Sequence, residues 1–96
     1  MPAYWIAHVE VTDPERYGEY ARRATGVIED HGGRFLSRAG KYAQLEGNDR
    51  ARNVLAEFPT LEAAEACYRS AEYQAAFAHA RGAAERDLVI VEGVSP

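Results

Sequence analysis

Strand-like alternation opens the chain. In Tyr4-Trp5-Ile6-Ala7-His8-Val9-Glu10-Val11 the odd positions Trp5, Ala7, Val9 and Val11 are all apolar, while the even positions read Tyr4, Ile6, His8 and Glu10. A period of two sends these sets to opposite faces of a sheet. The apolar set calls for a helix layer over it. The mixed set places an ionisable pair beside apolar residues, the character of a polar pocket wall. Thr12-Asp13-Pro14-Glu15 then reads as a helix start, with Asp13 as cap, Pro14 at the first helical position and Glu15 at the positive end of the dipole. Tyr17, Tyr20, Ala21, Ala24, Val27 and Ile28 form an i, i+3, i+4 stripe, and His31-Gly32-Gly33 ends the helix.

Alternation returns from Arg34 to Ala39. Phe35 and Ser37 fall on one side, and Arg34, Leu36 and Arg38 on the other. A short strand is expected over Tyr42 to Glu46, a loop at Gly47-Asn48-Asp49-Arg50, and a further strand from Val54 to Phe58. Pro59 stops that strand. Thr60 caps a second helix, which breaks and restarts at Ser70 and ends at Gly82. Asp87 to Gly93 is the last strand. The order βαββαβ is a repeated βαβ unit, the signature of a ferredoxin-like α+β sandwich: an antiparallel sheet with two helices on one face.

If both helices cover one face, the more apolar parity of each strand belongs beneath them: Ala7, Val9 and Val11; Phe35 and Ser37; Val54, Ala56 and Phe58; Val89 and Val91. The other face then carries Ile6, His8 and Glu10; Leu36 and Arg38; Leu55 and Glu57; Leu88, Ile90 and Glu92. Burying each aliphatic side chain on that face contributes roughly 1.5–3 kcal/mol. The chain has no third layer to cover them, so a second copy related by twofold symmetry is the simplest cover. The two sheets would then enclose a space.

Composition narrows the class. The chain has 96 residues, expected to form a single domain over 1–96, with 47% hydrophobic and 27% charged residues. The formal charge of −4 is spread without a basic block, which argues against nucleic-acid binding. A lone cysteine, Cys67, excludes an intrachain disulfide and a CxxC site and reads as a small buried hydrophobe. The first residues lack the basic and apolar regions of a signal peptide, and no apolar run approaches the ~20 residues of a membrane span. A soluble cytoplasmic protein, with no membrane partner, is the expectation.

The segments Tyr4-Trp5-Ile6-Ala7-His8-Val9-x-Val11-x-Asp13-Pro14, His31-Gly32-Gly33-Arg34-Phe35-Leu36-x-Arg38, Glu57-Phe58-Pro59, Ser70-x-Glu72-Tyr73-Gln74 and Leu88-Val89-Ile90-Val91-Glu92-Gly93 together resemble the family catalogued as domain of unknown function 1330. The resemblance covers nearly the whole chain and rests on the order and spacing of these segments. It implies the dimeric α+β barrel fold. It also implies kinship with cofactor-free monooxygenases, lactone isomerases and haem-handling barrels. It brings no agreed catalytic residues.

Candidate chemistry comes from the mixed face. His8, with a reference pKa of about 6.5, is a candidate to move a proton. Arg38 is a candidate to hold an anionic group, and Glu57 or Glu92 to orient the histidine. Ile6, Glu10, Leu36, Leu55 and Ile90 would line the ligand space. The competing reading of the same residues is an ion-pair network that fixes dimer register. No metal-ligand spacing is present, His79 is a helix residue before it is a haem ligand, and no cofactor is expected. Pro2 follows Met1 as an amide and cannot act as an amine base. The aromatic residues Tyr17, Tyr20, Tyr73 and Phe77 read as core or dimer contacts before substrate contacts, and Asp49-Arg50-Ala51-Arg52 as a solvated loop. The functional expectation is a cofactor-free enzyme of monooxygenase or isomerase type acting on a small organic molecule between the sheets. The alternatives are a non-catalytic binding or stress-related protein and a purely structural dimer.

Overall fold

The computed structural model describes residues 1–95. The elements run β1 (Ala3–Val11), α1 (Pro14–Asp30), β2 (Arg34–Arg38), β3 (Arg52–Phe58), α2 (Leu61–Arg69), α3 (Ala71–Phe77) and β4 (Ala84–Glu92). The strands form one antiparallel sheet in the order β2-β3-β1-β4, with the helices over one face. This is the ferredoxin-like fold that the element order predicts.

Local chemistry sets the element ends as the sequence indicates. The Asp13 carboxylate accepts from the Arg16 amide at 3.2 Å, capping α1 one residue before Pro14. At the other end, Gly32 takes φ 89°, and the His31 ring donates through Nδ1 to the Val27 carbonyl at 2.9 Å. Gly33 answers to packing: a Cβ there would come within 2.5 Å of Ile28 and 2.9 Å of Phe58. Thr60 caps α2, and Ser70 both ends α2 and caps α3, accepting from the Tyr73 amide at 3.1 Å.

The core lies between helices and sheet. Trp5, Phe58 and Tyr73 are fully buried, and Trp5 meets Tyr73 edge-on at 5.2 Å between centroids. Tyr17, Tyr20, Ala24 and Ile28 are the buried stripe of α1.

Three expectations need correction. No strand forms over Tyr42–Glu46; these residues lie in an exposed loop, where the Tyr42 hydroxyl donates to Asp49 at 2.8 Å and Leu45 is 89% exposed. A run that packs nothing on the core does not offset the entropy of ordering it.

The facing of β4 is the reverse of that expected. Leu88 pairs with Ala7, Ile90 with Trp5 and Glu92 with Ala3, so all three belong to the helix side. Val89 and Val91 lie on the open face, 54% and 47% exposed. The Thr12 and Asp13 amides both donate to the Ala83 carbonyl, at 2.8 and 2.9 Å, which fixes where β4 enters the sheet and hence its facing. The larger Leu88 and Ile90 then fill space beside Leu61 and Tyr68 of α2.

Arg38 is also on the helix side. Phe35 pairs with Ala56, but Ser37 pairs with Leu55 and Arg38 with Val54, leaving Leu36 as the extra residue of a bulge. One inserted residue reverses the facing of everything after it, so Arg38 points beneath α1.

Candidate functional site

The sequence-predicted constellation is divided between the two faces of the sheet. His8, Glu10 and Glu57 occupy the open face; Arg38 and Glu92 occupy the other. His8 stands opposite Asn53 on β3 and Asp87 on β4. The Asn53 amide nitrogen is committed to the Arg50 carbonyl at 3.1 Å, so its oxygen faces His8 and accepts from Nδ1 at 2.6 Å. Glu57 lies four residues further along, roughly 13 Å by strand rise. It accepts from Arg34 at 2.8 Å and from the Tyr4 hydroxyl at 3.3 Å. The Arg34 guanidinium holds the Glu57 carboxyl below its ordinary range. Glu10 faces Glu85, and Arg50 reaches Glu85 and Asp87 at 3.7 and 3.4 Å. Of the proposed lining residues, Ile6 and Leu55 face each other on the open side, Leu36 is the exposed bulge residue, and Ile90 lies under the helices.

A different set of residues converges on the helix side. One cross-strand row runs Arg52 on β3, Val9 on β1 and Arg86 on β4, and Arg38 joins from β2 through its pairing with Val54. The three guanidinium groups border a small cavity under α1, of about 30 Å³, with Tyr17, Tyr20, Thr25, Trp5 and Phe35 also in its wall. Each arginine rests on an aromatic ring: Arg86 on Tyr20 at 4.8 Å, Arg38 on Phe35 at 5.1 Å and Arg52 on Tyr17 at 5.5 Å. Arg38 donates to the Thr25 hydroxyl at 3.3 Å. Arg86 donates to the Tyr20 and Tyr73 hydroxyls at 3.1 and 3.2 Å, and these two hydroxyls share a hydrogen bond of 2.7 Å.

The electrostatics are one-sided. Among the described residues, Arg38, Arg52 and Arg86 make no ion pair with a carboxylate, and no acidic or imidazole side chain lines the cavity. The Nε–H groups of Arg52 and Arg86 are buried without an acceptor. Arg38 is exposed and Arg52 and Arg86 are half-buried, and with no carboxylate beside them the arrangement has surplus positive charge and surplus donors. A mouth of about 400 Å³ opens between α1 and the sheet, bordered by Ala21, Arg22, Thr25, Arg38 and Arg52. The cavity and the mouth share four of these residues.

Burial raises the Tyr17, Tyr20 and Tyr73 hydroxyls above their ordinary value. The unfolded chain releases those protons near pH 10 while the folded chain keeps them. Above that pH the unfolded state therefore binds fewer protons, and stability falls as pH rises. Urea midpoints are expected to hold between pH 7 and 9 and to decline above about pH 10, at about 1.4 kcal/mol per unit for each suppressed tyrosine. Tyr20→Phe should lessen the decline. A midpoint unmoved between pH 9 and 11 would show that these hydroxyls ionise freely in the fold.

Sequence reasoning missed Arg52 and Arg86 and placed Tyr17, Tyr20 and Tyr73 in the core only. A signal was present. Arg52 shares parity with Val54, Ala56 and Phe58, and a cation on a helix-facing row needs a reason to be there. Cys67 is inert, as expected: it is fully buried, and burial pushes its thiol up to about 11.

Fold and site together define a small ferredoxin-like α+β protein with a cationic, aromatic-walled pocket between its first helix and its sheet. The profile described as domain of unknown function (DUF1330) matches residues 2–94, and the chain belongs to that family. Among solved structures it is similar to a protein of unknown function from Rhodopseudomonas palustris, at 23% identity and TM-score 0.78 over 99% of this chain and 84% of that one. It is also similar to SnoaB, a cofactor-independent oxygenase from Streptomyces nogalater, at 10% identity and TM-score 0.66 over 99% and 95% of the two chains. A dimeric protein of unknown function and ferredoxin-like fold from Bacteroides fragilis follows at 16% identity and TM-score 0.57, over 96% of each chain. At these identities the likeness establishes the fold. No curated protein matches the chain. Among the described residues, no helix is long and apolar enough to cross a membrane.

Proposed function

We propose that this protein binds a small conjugated acid, a phenol or an enol, as its anion in the pocket beneath α1, and acts on it there without a cofactor. The observation that carries this reading is the cluster of Arg38, Arg52 and Arg86, three guanidinium groups without a carboxylate around one aromatic-walled cavity. Such a cluster favours the ionised form of a bound acid, as an oxyanion site does. Ionisation makes the organic molecule electron-rich, which is what an oxygenase without a cofactor requires of its substrate. SnoaB, of the same fold, is described as a cofactor-independent oxygenase. His8 lies on the other face of the sheet, so this reading gives it no part in proton transfer. The substrate enters already ionised, or loses its proton to water at the mouth.

A pH titration of the absorbance of para-nitrophenol, with and without excess protein, tests the reading. The bound phenol is expected to ionise at least one pH unit lower than the free one, a differential of about 1.4 kcal/mol. An unchanged titration curve would remove the reading. Oxygen uptake with an electrode, using phenols that bind, then separates an oxygenase from a binding protein.

The open face carries Tyr4, Ile6, Leu36, Leu55, Val89 and Val91. We infer that a second copy covers it by twofold pairing. His8, Glu10, Glu57 and their partners then serve the register of that pairing.

A further inference from the structure

We propose that the ligand is a dianion: an ionised phenol or enol that also carries a carboxylate, with the single oxygen inside the cavity and the carboxylate at the mouth. The inference rests on the anion-binding reading above and deepens it.

Size assigns the two groups. An inner space of about 30 Å³ has room for an atom or two of a ligand, because a single water already needs about 10–15 Å³ measured this way. A lone phenolate or enolate oxygen fits. A hydrated carboxylate with its bidentate demand does not. The mouth is a shallow groove largely open to solvent. It takes the body of the ligand and a second group.

The hydrogen-bond ledger makes the inner group an acceptor. Tyr20 and Tyr73 each accept from Arg86, and one of them donates to the other. Each hydroxyl has one proton, so the pair retains one O–H with no acceptor in these bonds. The Nε–H groups of Arg52 and Arg86 also lack an acceptor, but they are closed off behind the wall. An oxygen that only accepts satisfies this wall, and a neutral hydroxyl arriving with its own proton does not.

A second anionic group finds a partner at the mouth. Arg22 at the mouth is already paired with Glu19. The half-buried Arg52 and Arg86 and the exposed Arg38 remain without a carboxylate, and Arg38 is the one a group at the mouth reaches from solvent. Arg38 borders both spaces, and its recorded donation goes to a neutral hydroxyl, Thr25, at 3.3 Å. Its planar fork suits a carboxylate entering from the mouth.

Two ligands with one chromophore provide the test: para-nitrophenol and 5-hydroxy-2-nitrobenzoate, the same nitrophenol bearing a carboxylate. Affinities for the intact protein are measured by absorbance titration at a pH where both phenols are ionised. The carboxylate is expected to tighten binding ten-fold or more, and Arg38→Gln is expected to bring the affinity ratio of the two ligands close to one. Equal affinities for the intact protein would overturn the dianion while leaving the anion reading in place. A carboxylate preference that survives Arg38→Gln would overturn the assignment of the carboxylate to the mouth. Failure of both ligands to bind would overturn the anion reading itself.

Discussion

Replacing Arg86 with Met is expected to yield a more stable protein that no longer binds para-nitrophenol. Arg86 is a cation beneath the helices with no carboxylate beside it, and its Nε–H has no acceptor. Methionine fills a similar volume without charge and adapts to its surroundings. The Tyr20 and Tyr73 hydroxyls keep their mutual hydrogen bond of 2.7 Å. Exchanging a buried ion pair for apolar volume is often neutral or stabilising by ~1–4 kcal/mol; for the half-buried, unpaired Arg86 a gain in the lower half of that range is expected in urea unfolding. Binding should weaken by about ten- to 100-fold, the loss of one charge-assisted interaction of ~1.5–3 kcal/mol. The opposite signs identify Arg86 as a residue kept for its ligand at the expense of the fold. Destabilisation by several kcal/mol would instead make Arg86 a strut for the two tyrosines.

The second large effect concerns assembly. Light scattering after size exclusion is expected to give twice the chain mass of 10.6 kDa, and Leu55→Glu to give a monomer or an insoluble product. Leu55 lies at the centre of the open face, opposite Ile6 on β1 and Ser37 on β2. A charge there is buried without a partner, and twofold symmetry makes each substitution count twice. Ile90→Glu provides the contrast. Ile90 packs on the helix side beside Tyr68, so this change should lower the stability of the fold itself. A native mass near 10.6 kDa for the unaltered chain would leave the open face without its cover.

The elements of this fold are legible because their local chemistry is strong. Asp13 before Pro14, Ser70 between α2 and α3, and the strict alternation of β1 each mark structure through groups that act within a few residues. The facing of β4 is not legible. Leu88, Val89, Ile90 and Val91 are all apolar, so alternation does not choose between the two parities. The choice is made by hydrogen bonds from Thr12 and Asp13 to Ala83, about 70 residues distant in sequence. The bulge at Leu36 also leaves no local sign, since no glycine marks it. These two non-local features account for the misplacement of Arg38, Ile90 and Glu92. His8 and Glu57 are placed on the open face as their parity indicates, but their separation along β1 and β3 depends on register, which a strand read alone does not contain.

The bulge at Leu36 gives this fold a discrete route of change that substitutions do not offer. A sheet has no intermediate facing: the side chain after an inserted residue points fully to one side or fully to the other. A register without the bulge, with Leu36 opposite Leu55, would carry the Arg38 guanidinium through the sheet, from the wall of the pocket to the outer surface, and would bring Ser37 inward in its place. That slip would thus remove a cation from the pocket wall and add one to the outer surface without altering a single residue. Losing the codon for Leu36 would instead leave Ser37 opposite Leu55 and Arg38 opposite Val54, with both facings kept.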